Sequence, residues 1–511
     1  MKKLTIFWIG LLGCMSSMQA QDSLSTYQRM ILQQQSEQAF KKEYYYNPVH
    51  KLGYSNFSFS DILVSQSKEK KERYKLQEGS GKEGIEIAAS SFKKLSNNRS
   101  IWGNVVYQNN SQKNIQWNAN LDLDIIAPYV MADSTKGSMK YEAYEFLGGY
   151  AQKIKKFSFA LEVAYQAHLG FKNKDPRPKN ISSNITIKGG IGYELTQQWT
   201  AGAYALYTNY TQNTDVTFVN QTQKAALYQM NGLGTWNRYF SGKSTGTNFE
   251  SNGNEYGLNL DNKALDFSLG FTKGSTILKK FFKGVNLSNS SGDAEGNRLE
   301  SDYYSIFALK FFQINEHRIG LKYNYSQKDK EGIEVYYTDN ETNLGLVKLL
   351  EKKMFVAKES SHVVEGMYEV NFPKSRLVAK PFWKYQKNTE RLNEFNSKQN
   401  FTSNSYGLNL SYTQALSPLS TIEIAPAFTY RNTNQAMHQY NLLQSKQAIE
   451  DWLMNDFDYF TANYLAWGTT VKYAIEKVKN APMFIAITYN QVDFKKNKQN
   501  NYLGVTIGVT F

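Results

Sequence analysis

The chain has almost no cysteine. Of its 511 residues only Cys14 is one, and it lies within the leader-like start. A product cut after Ala20 has no disulfide framework, no thiol nucleophile and no zinc–cysteine site. Histidine is scarce too: His50, His168, His317, His362 and His438 are all there are. None stands at metal-ligand spacing such as H-x-x-x-H, and none has a neighbouring acid in an evident relay, so no metal and no cofactor is expected. Long apolar runs are also missing beyond the first residues, which excludes a spanning helix of about 20 residues. Mean hydropathy is only −0.55. There is no internal repeat and no Pro-rich linker, so a single domain follows the leader.

Residues 1–20 read as an export signal, with Lys2 and Lys3, an apolar core from Leu4 to Leu12, then small and polar residues up to Ala20. The competing reading is a lipoprotein signal at Cys14, which Leu12 two residues before it disfavours. A chain already anchored as a closed barrel needs no lipid. The net charge of +14 falls to +12 without Lys2 and Lys3. Those charges are spread over turns, loops and one face of many segments rather than gathered in a patch, so nucleic acid is not an expected partner. Outer-membrane lipid and lipopolysaccharide phosphates are.

What is abundant is alternation. In residues 501–511, Leu503, Val505, Ile507, Val509 and Phe511 share one parity, and Gly504, Thr506, Gly508 and Thr510 the other. Successive strand side chains point to opposite faces, so one face is greasy and the other small and polar. The same holds over residues 157–171, where Phe157, Leu161, Val163 and Tyr165 alternate with Ser158, Glu162, Ala164 and Gln166. It recurs over 181–195, 265–271, 319–325, 421–430 and 465–475. Aromatics make up 14% of the chain, enough for interfacial girdles, with Trp102, Trp199, Trp383 and Trp467 as candidate anchors.

Connections alternate in length. Short links fall at 153–156, 195–198, 261–263, 313–316, 373–376, 416–419 and 477–482. Long ones fall at 109–138, 213–245, 279–300, 329–360 and 434–461. This is the rhythm of periplasmic turns and extracellular loops. The expected fold is all-β, a transmembrane antiparallel β-barrel of about 18 strands, with 14 or 16 as alternatives, in the bacterial outer membrane. Residues 51–511 form the barrel and residues 21–50 an amino-terminal periplasmic tail or a plug folded into the lumen. Residues 441–457 carry Leu442, Ile449, Trp452, Leu453 and Phe457 at helical spacing, which predicts a loop helix on the rim. Residues 276–282 and 344–354 are candidates for similar short helices.

The inward parity collects charge of both signs. Glu162, Asp266, Glu365, Glu369 and Glu423 face Lys188, Lys310, Lys322, Lys380, Lys384 and Lys472, with His168 near the outer end of its strand. These could line a pore, hold a plug, or merely pair across strands. A lumen of this size is too wide for side chains alone to fill, so inward-folded loops or the amino-terminal segment are expected in it. Gly189, Gly190 and Gly192 imitate a phosphate loop but lie mid-strand with no helix after them. There, glycine lets a wall bend or an inner element approach closely.

With Asp133-Ser134-Thr135-Lys136-Gly137 followed by Gly148-Gly149-Tyr150-Ala151, the chain resembles the uncharacterised outer-membrane barrels found beside TonB-dependent transporters. The resemblance covers nearly the whole chain and rests on architecture. It implies an accessory role in nutrient acquisition, iron or haem among the candidates, with a TonB-dependent transporter or another envelope protein as partner. A fainter likeness is to long-chain fatty-acid channels, whose hatch carries N-P-A where this chain has Asn47-Pro48-Val49. The leading expectation is a transport-related barrel, a pore or an accessory partner. The alternatives are a structural or assembly component of a secretion machine and, third, an outer-membrane hydrolase.

Overall fold

The computed structural model describes residues 25–33, 36–220, 222, 226–237, 239–241, 246–285, 287, 293–339, 345–442, 447–478 and 481–511. Residues 1–20, read above as an export signal, lie outside these. Eighteen strands form one antiparallel sheet, each paired with its neighbours in chain order. The first, β1 (Phe59–Lys71), pairs with β2 (Gly81–Ser96) on one side. On its other side it meets the last, β18 (Lys498–Thr510), from Asp61 opposite Thr510 to Lys71 opposite Asn500. The sheet therefore closes on itself and has no free edge. Among the described residues, no helix is long and apolar enough to cross a membrane.

Alternation sets the two faces of the wall. Leu161 and Val163 are exposed on the outside while Glu162 between them is buried, and Ile187 and Ile191 are exposed on the parity opposite buried Lys188. An apolar belt on the outside of a closed barrel is a surface that a bilayer covers, which supports an outer-membrane location. Trp383 and Trp467 lie in this outer belt.

Several boundaries differ from the sequence expectation. The wall starts at Phe59 rather than at Lys51, because Pro48–Gly53 forms a 3-10 helix inside the barrel, capped by Asn47 and started by Pro48. Residues 276–282 are strand, part of Phe267–Phe282, and the described part of 344–354 belongs to the strand Leu346–Asn371. Short apolar runs do not separate helix from strand by spacing alone. Strands of 21, 23 and 26 residues at Ala294–Ile314, His317–Asp339 and Leu346–Asn371 rise far beyond the bilayer, which needs only about 9–11 residues per strand. Much of what reads as loop is thus wall continuing outside the membrane.

Two inner structures occupy the lumen. At the end where the short turns lie, Thr26–Gln33 (α1), Ser36–Phe40 (α2) and two 3-10 turns lead to Gly53. At the other end, Leu123–Ile126 (α3) and a small three-stranded sheet (Met131–Asp133, Leu227–Gly232, Thr235–Trp236) are covered by Gln447–Phe460 (α4). Ile449, Trp452, Leu453 and Phe457 are the buried face of α4, as their spacing predicts. Trp452 stacks on Trp117 with ring centroids 5.4 Å apart, inside a core that also includes Tyr129, Met230 and Phe355.

Candidate functional site within the lumen

The amino-terminal segment runs along the inner wall and is held there by ion pairs, hydrogen bonds and the packing of Phe40. Arg376 reaches the Ile31 carbonyl and the Ser36 hydroxyl, and Lys380 donates to the Ser36 carbonyl at 3.0 Å. Arg318 binds Glu37 at 3.2 Å and also Asp266, while Lys41 bridges the same two acids. Lys322, 1% exposed, donates to the Phe40 carbonyl and to Glu43, both at 3.0 Å, and pairs with Glu365 at 2.6 Å. Phe40 packs among Phe307, Leu309, Phe311, Met367 and Val378.

Asn47, fully buried, donates to Asn259 at 3.1 Å. Lys51 reaches Glu162 at 2.5 Å, and the same carboxylate takes Lys188 at 3.1 Å and the Trp102 indole at 2.8 Å. Trp102 is therefore a buried inner residue rather than an interfacial anchor. The Gly149 opposite it leaves the space for its ring, since a Cβ there would lie 2.2 Å from the indole. Burial works to discharge Lys51, offset in part by Glu162. His50 stacks on Tyr44 and lies 3.6 Å from Asp261. Burial pushes its imidazole down to about 3, so it is neutral at neutral pH and that contact is not an ion pair.

The wall makes room for this segment by leaving out a side chain. A Cβ on Gly190 would sit 2.5 Å from the Asn47 carboxamide oxygen and 3.1 Å from the Pro48 ring.

The predicted luminal charges separate into groups. Glu162, Lys188, Asp266, Lys322, Glu365 and Lys380 meet, or lie among, the residues that bind the segment. Asp266 does so from a turn with a left-handed backbone (φ 46°) rather than from within a strand. Glu423 accepts from Ser411 and lies opposite Lys472 in register, and the Lys472 ammonium stands 4.1 Å over the Phe484 ring. Glu369 accepts from Asn371, and Lys384 lies on the face opposite exposed Trp383.

Lys310 is a correction. It shares its face with exposed Ile306 and Phe312, while Leu309 and Phe311 are the buried neighbours. Those two apolar side chains point inward to cover Phe40, which inverts a parity assigned by hydrophobicity.

At the outer end, Asp122 binds the wall through three donors: His168 at 2.9 Å, Ser182 at 2.6 Å and Tyr210 at 3.0 Å. Burial alone would raise the Asp122 carboxyl, but these donors outweigh it and hold it below its ordinary value. Ser182 donates to the acid and not to the imidazole, so the trio is a clamp on the inward loop and lacks the hydroxyl-to-imidazole bond of a nucleophile relay. Asp456 of α4 accepts from the Trp452 indole and from the Leu76 amide, and burial raises it to about 6. A cavity of about 240 Å³ remains between cap and wall, lined by Lys328, Lys330, Lys358 and Glu359 on one side and Phe355 and Trp452 on the other.

Sequence reasoning missed Asp122, Glu37, Glu43 and Lys51, all on helical or irregular backbone where strand parity has no meaning. Only Asn47-Pro48 carried a local signal, that of a capped helix start.

A family model described as a family of unknown function, DUF6850, matches residues 48–511. No curated protein matches the chain. Among solved structures, the ferric preacinetobactin receptor BauA of Acinetobacter baumannii is 7% identical with a TM-score of 0.41, over 89% of this chain and 80% of that one. The FrpB iron transporter of Neisseria meningitidis is 10% identical with a TM-score of 0.41, over 91% and 82%. The ferric yersiniabactin uptake receptor FyuA of Yersinia pestis is 7% identical with a TM-score of 0.40, over 89% and 80%.

Proposed function

This chain belongs to DUF6850, a family of unknown function, and we propose that it is a transport-related outer-membrane barrel, a pore closed at rest by its own amino-terminal segment. The observation that carries this reading is how residues 36–51 are held. Arg318, Lys322, Lys380 and Glu162 hold them through ion pairs and hydrogen bonds. When the segment leaves, water can take over these polar contacts, and the packing of Phe40 against Phe311 is the apolar part of the seat that is given up. The outer cap, clamped through Asp122, is the second barrier on the same path.

Single-channel recording in a planar bilayer tests the reading. The Cβ position of Gly192 lies 3.6 Å from a Val49 methyl, so a Val49→Cys, Gly192→Cys pair, with Cys14 replaced by serine, is placed to form a disulfide. Conductance steps that vanish on oxidation and return on reduction are expected. Silence in both states overturns the pore and leaves the accessory-partner reading, which cross-linking and co-purification from membranes would address.

A further inference from the structure

A second cavity, of about 290 Å³, opens in the outer part of the barrel and takes no part in the contacts that hold the amino-terminal segment. Its walls come from the small sheet and the turn after it (Trp236, Phe240), from the high part of the strand His317–Asp339 (Glu334, Tyr336, Tyr337) and from the turn after Leu392 (Glu394, Phe395). Two features set its chemistry. Aromatic rings dominate the lining, and their faces carry negative charge density. The lining carries two carboxylic acids, Glu334 and Glu394, and no lysine or arginine is among its described residues, in a chain of net charge +14.

Glu334 is the decisive group. The residue is only 4% exposed, its Oε2 accepts from the Tyr336 hydroxyl at 3.1 Å, and its Oε1 has no hydrogen-bond partner. Glu394 is already paired with Lys352 at 3.3 Å. A buried carboxylate oxygen without a donor is costly to maintain. Burial already pushes this carboxyl up to about 7, and a ligand that brings both an N–H donor and a positive charge would hold it ionised and give the bare oxygen its donor.

We propose that this cavity binds a small organic ammonium ion with a flat apolar body, the ammonium directed to Glu334 and the body against Trp236, Tyr336 and Phe395. The site is independent of whether the barrel conducts.

Phenethylammonium is the probe, with phenethyl alcohol as its neutral counterpart and glucose as an uncharged polyol that aromatic rings can also stack on. Binding to the full-length protein in detergent is followed by isothermal titration. Saturable binding of the ammonium, at least ten-fold weaker for the alcohol and lost to a similar degree in Glu334→Gln, is expected. Phe395→Ala should weaken the ammonium and the alcohol alike, and heat-modifiable mobility on gels reports that each variant is folded. Failure of the ammonium to saturate, equal binding of ammonium and alcohol, unchanged affinity in folded Glu334→Gln, or tighter binding of glucose would each overturn the assignment.

Discussion

Lys51 of the inner segment and Trp102 of the wall donate to the same oxygen of Glu162, at 2.5 and 2.8 Å, while Lys188 holds the other oxygen at 3.1 Å. One carboxylate thus ties the inner segment to two strands. Replacing Glu162 with glutamine leaves the buried Lys188 ammonium and the half-buried Lys51 ammonium facing each other without an acid. Removing one partner of a buried pair costs about 3–5 kcal/mol. Glu162→Gln should therefore raise the open fraction in bilayer recordings by several-fold or more while the barrel itself still resists cold detergent. An unchanged open fraction would mean that the segment is held elsewhere.

Gly190 makes a second, sterically cleaner test. Its missing side chain admits Asn47 and Pro48, and a Cβ there would meet the Asn47 oxygen at 2.5 Å. Overpacking of this kind costs about 1–3 kcal/mol. Gly190→Val changes no charge and leaves the lipid face untouched, so it should reproduce the opening seen with Glu162→Gln. Cysteine-labelling at position 49 offers the readout: faster labelling in the variant is expected, and equal rates would show that the contact yields without cost.

Alternation made the wall legible, because the bilayer imposes one rule on every strand and each of them repeats it. The strand count, the closure and the short turns all follow from that rule. Glu162, Lys188 and Lys322 were identifiable as inward because greasy neighbours bracket them. Lys310 was not, since Leu309 and Phe311 bury their apolar side chains against Phe40, inside the lumen. The inner segment has no periodicity of its own that names its partners. Its contacts join residues hundreds of positions apart, as Lys322 with Glu43 does, and no local pattern encodes such a pairing. The clamp on Asp122 is hidden for the same reason, in a backbone with left-handed geometry at that residue (φ 51°).

Seating of the segment should depend on pH through His50. The wall presents Asp261 to this ring and the segment stacks Tyr44 on it, but burial is the largest influence and lowers the imidazole from 6.5 to about 3. A group depressed in the seated state stabilises that state fully above its free value and loses this contribution as pH falls. Between pH 7.5 and 5 the free segment gains a proton that the seated one refuses, worth roughly thirty-fold in the seating equilibrium. Asp261 titrates beside the ring and acts in the opposite sense, so the His50 share is read as a difference: on acidification the native protein should gain more open probability than His50→Gln. Parallel pH curves for the two would remove His50 from the latch.

The outer cap gives the last test, because it separates a clamp from a catalytic pair. Asp122 accepts from His168, Ser182 and Tyr210, and those donors keep it ionised against its burial. Asparagine tolerates the left-handed backbone there but brings an amide donor where three donors already point. A buried donor left unmatched costs about 1–3 kcal/mol. Asp122→Asn should therefore speed amide hydrogen exchange across residues 117–133 while exchange in the wall strands stays slow. Ser182→Ala, which removes one donor of three and leaves the acid satisfied, should loosen the cap less. A catalytic pair would behave differently, losing turnover on ester or peptide substrates with exchange unaltered, so protection that is unchanged in Asp122→Asn would withdraw the clamp.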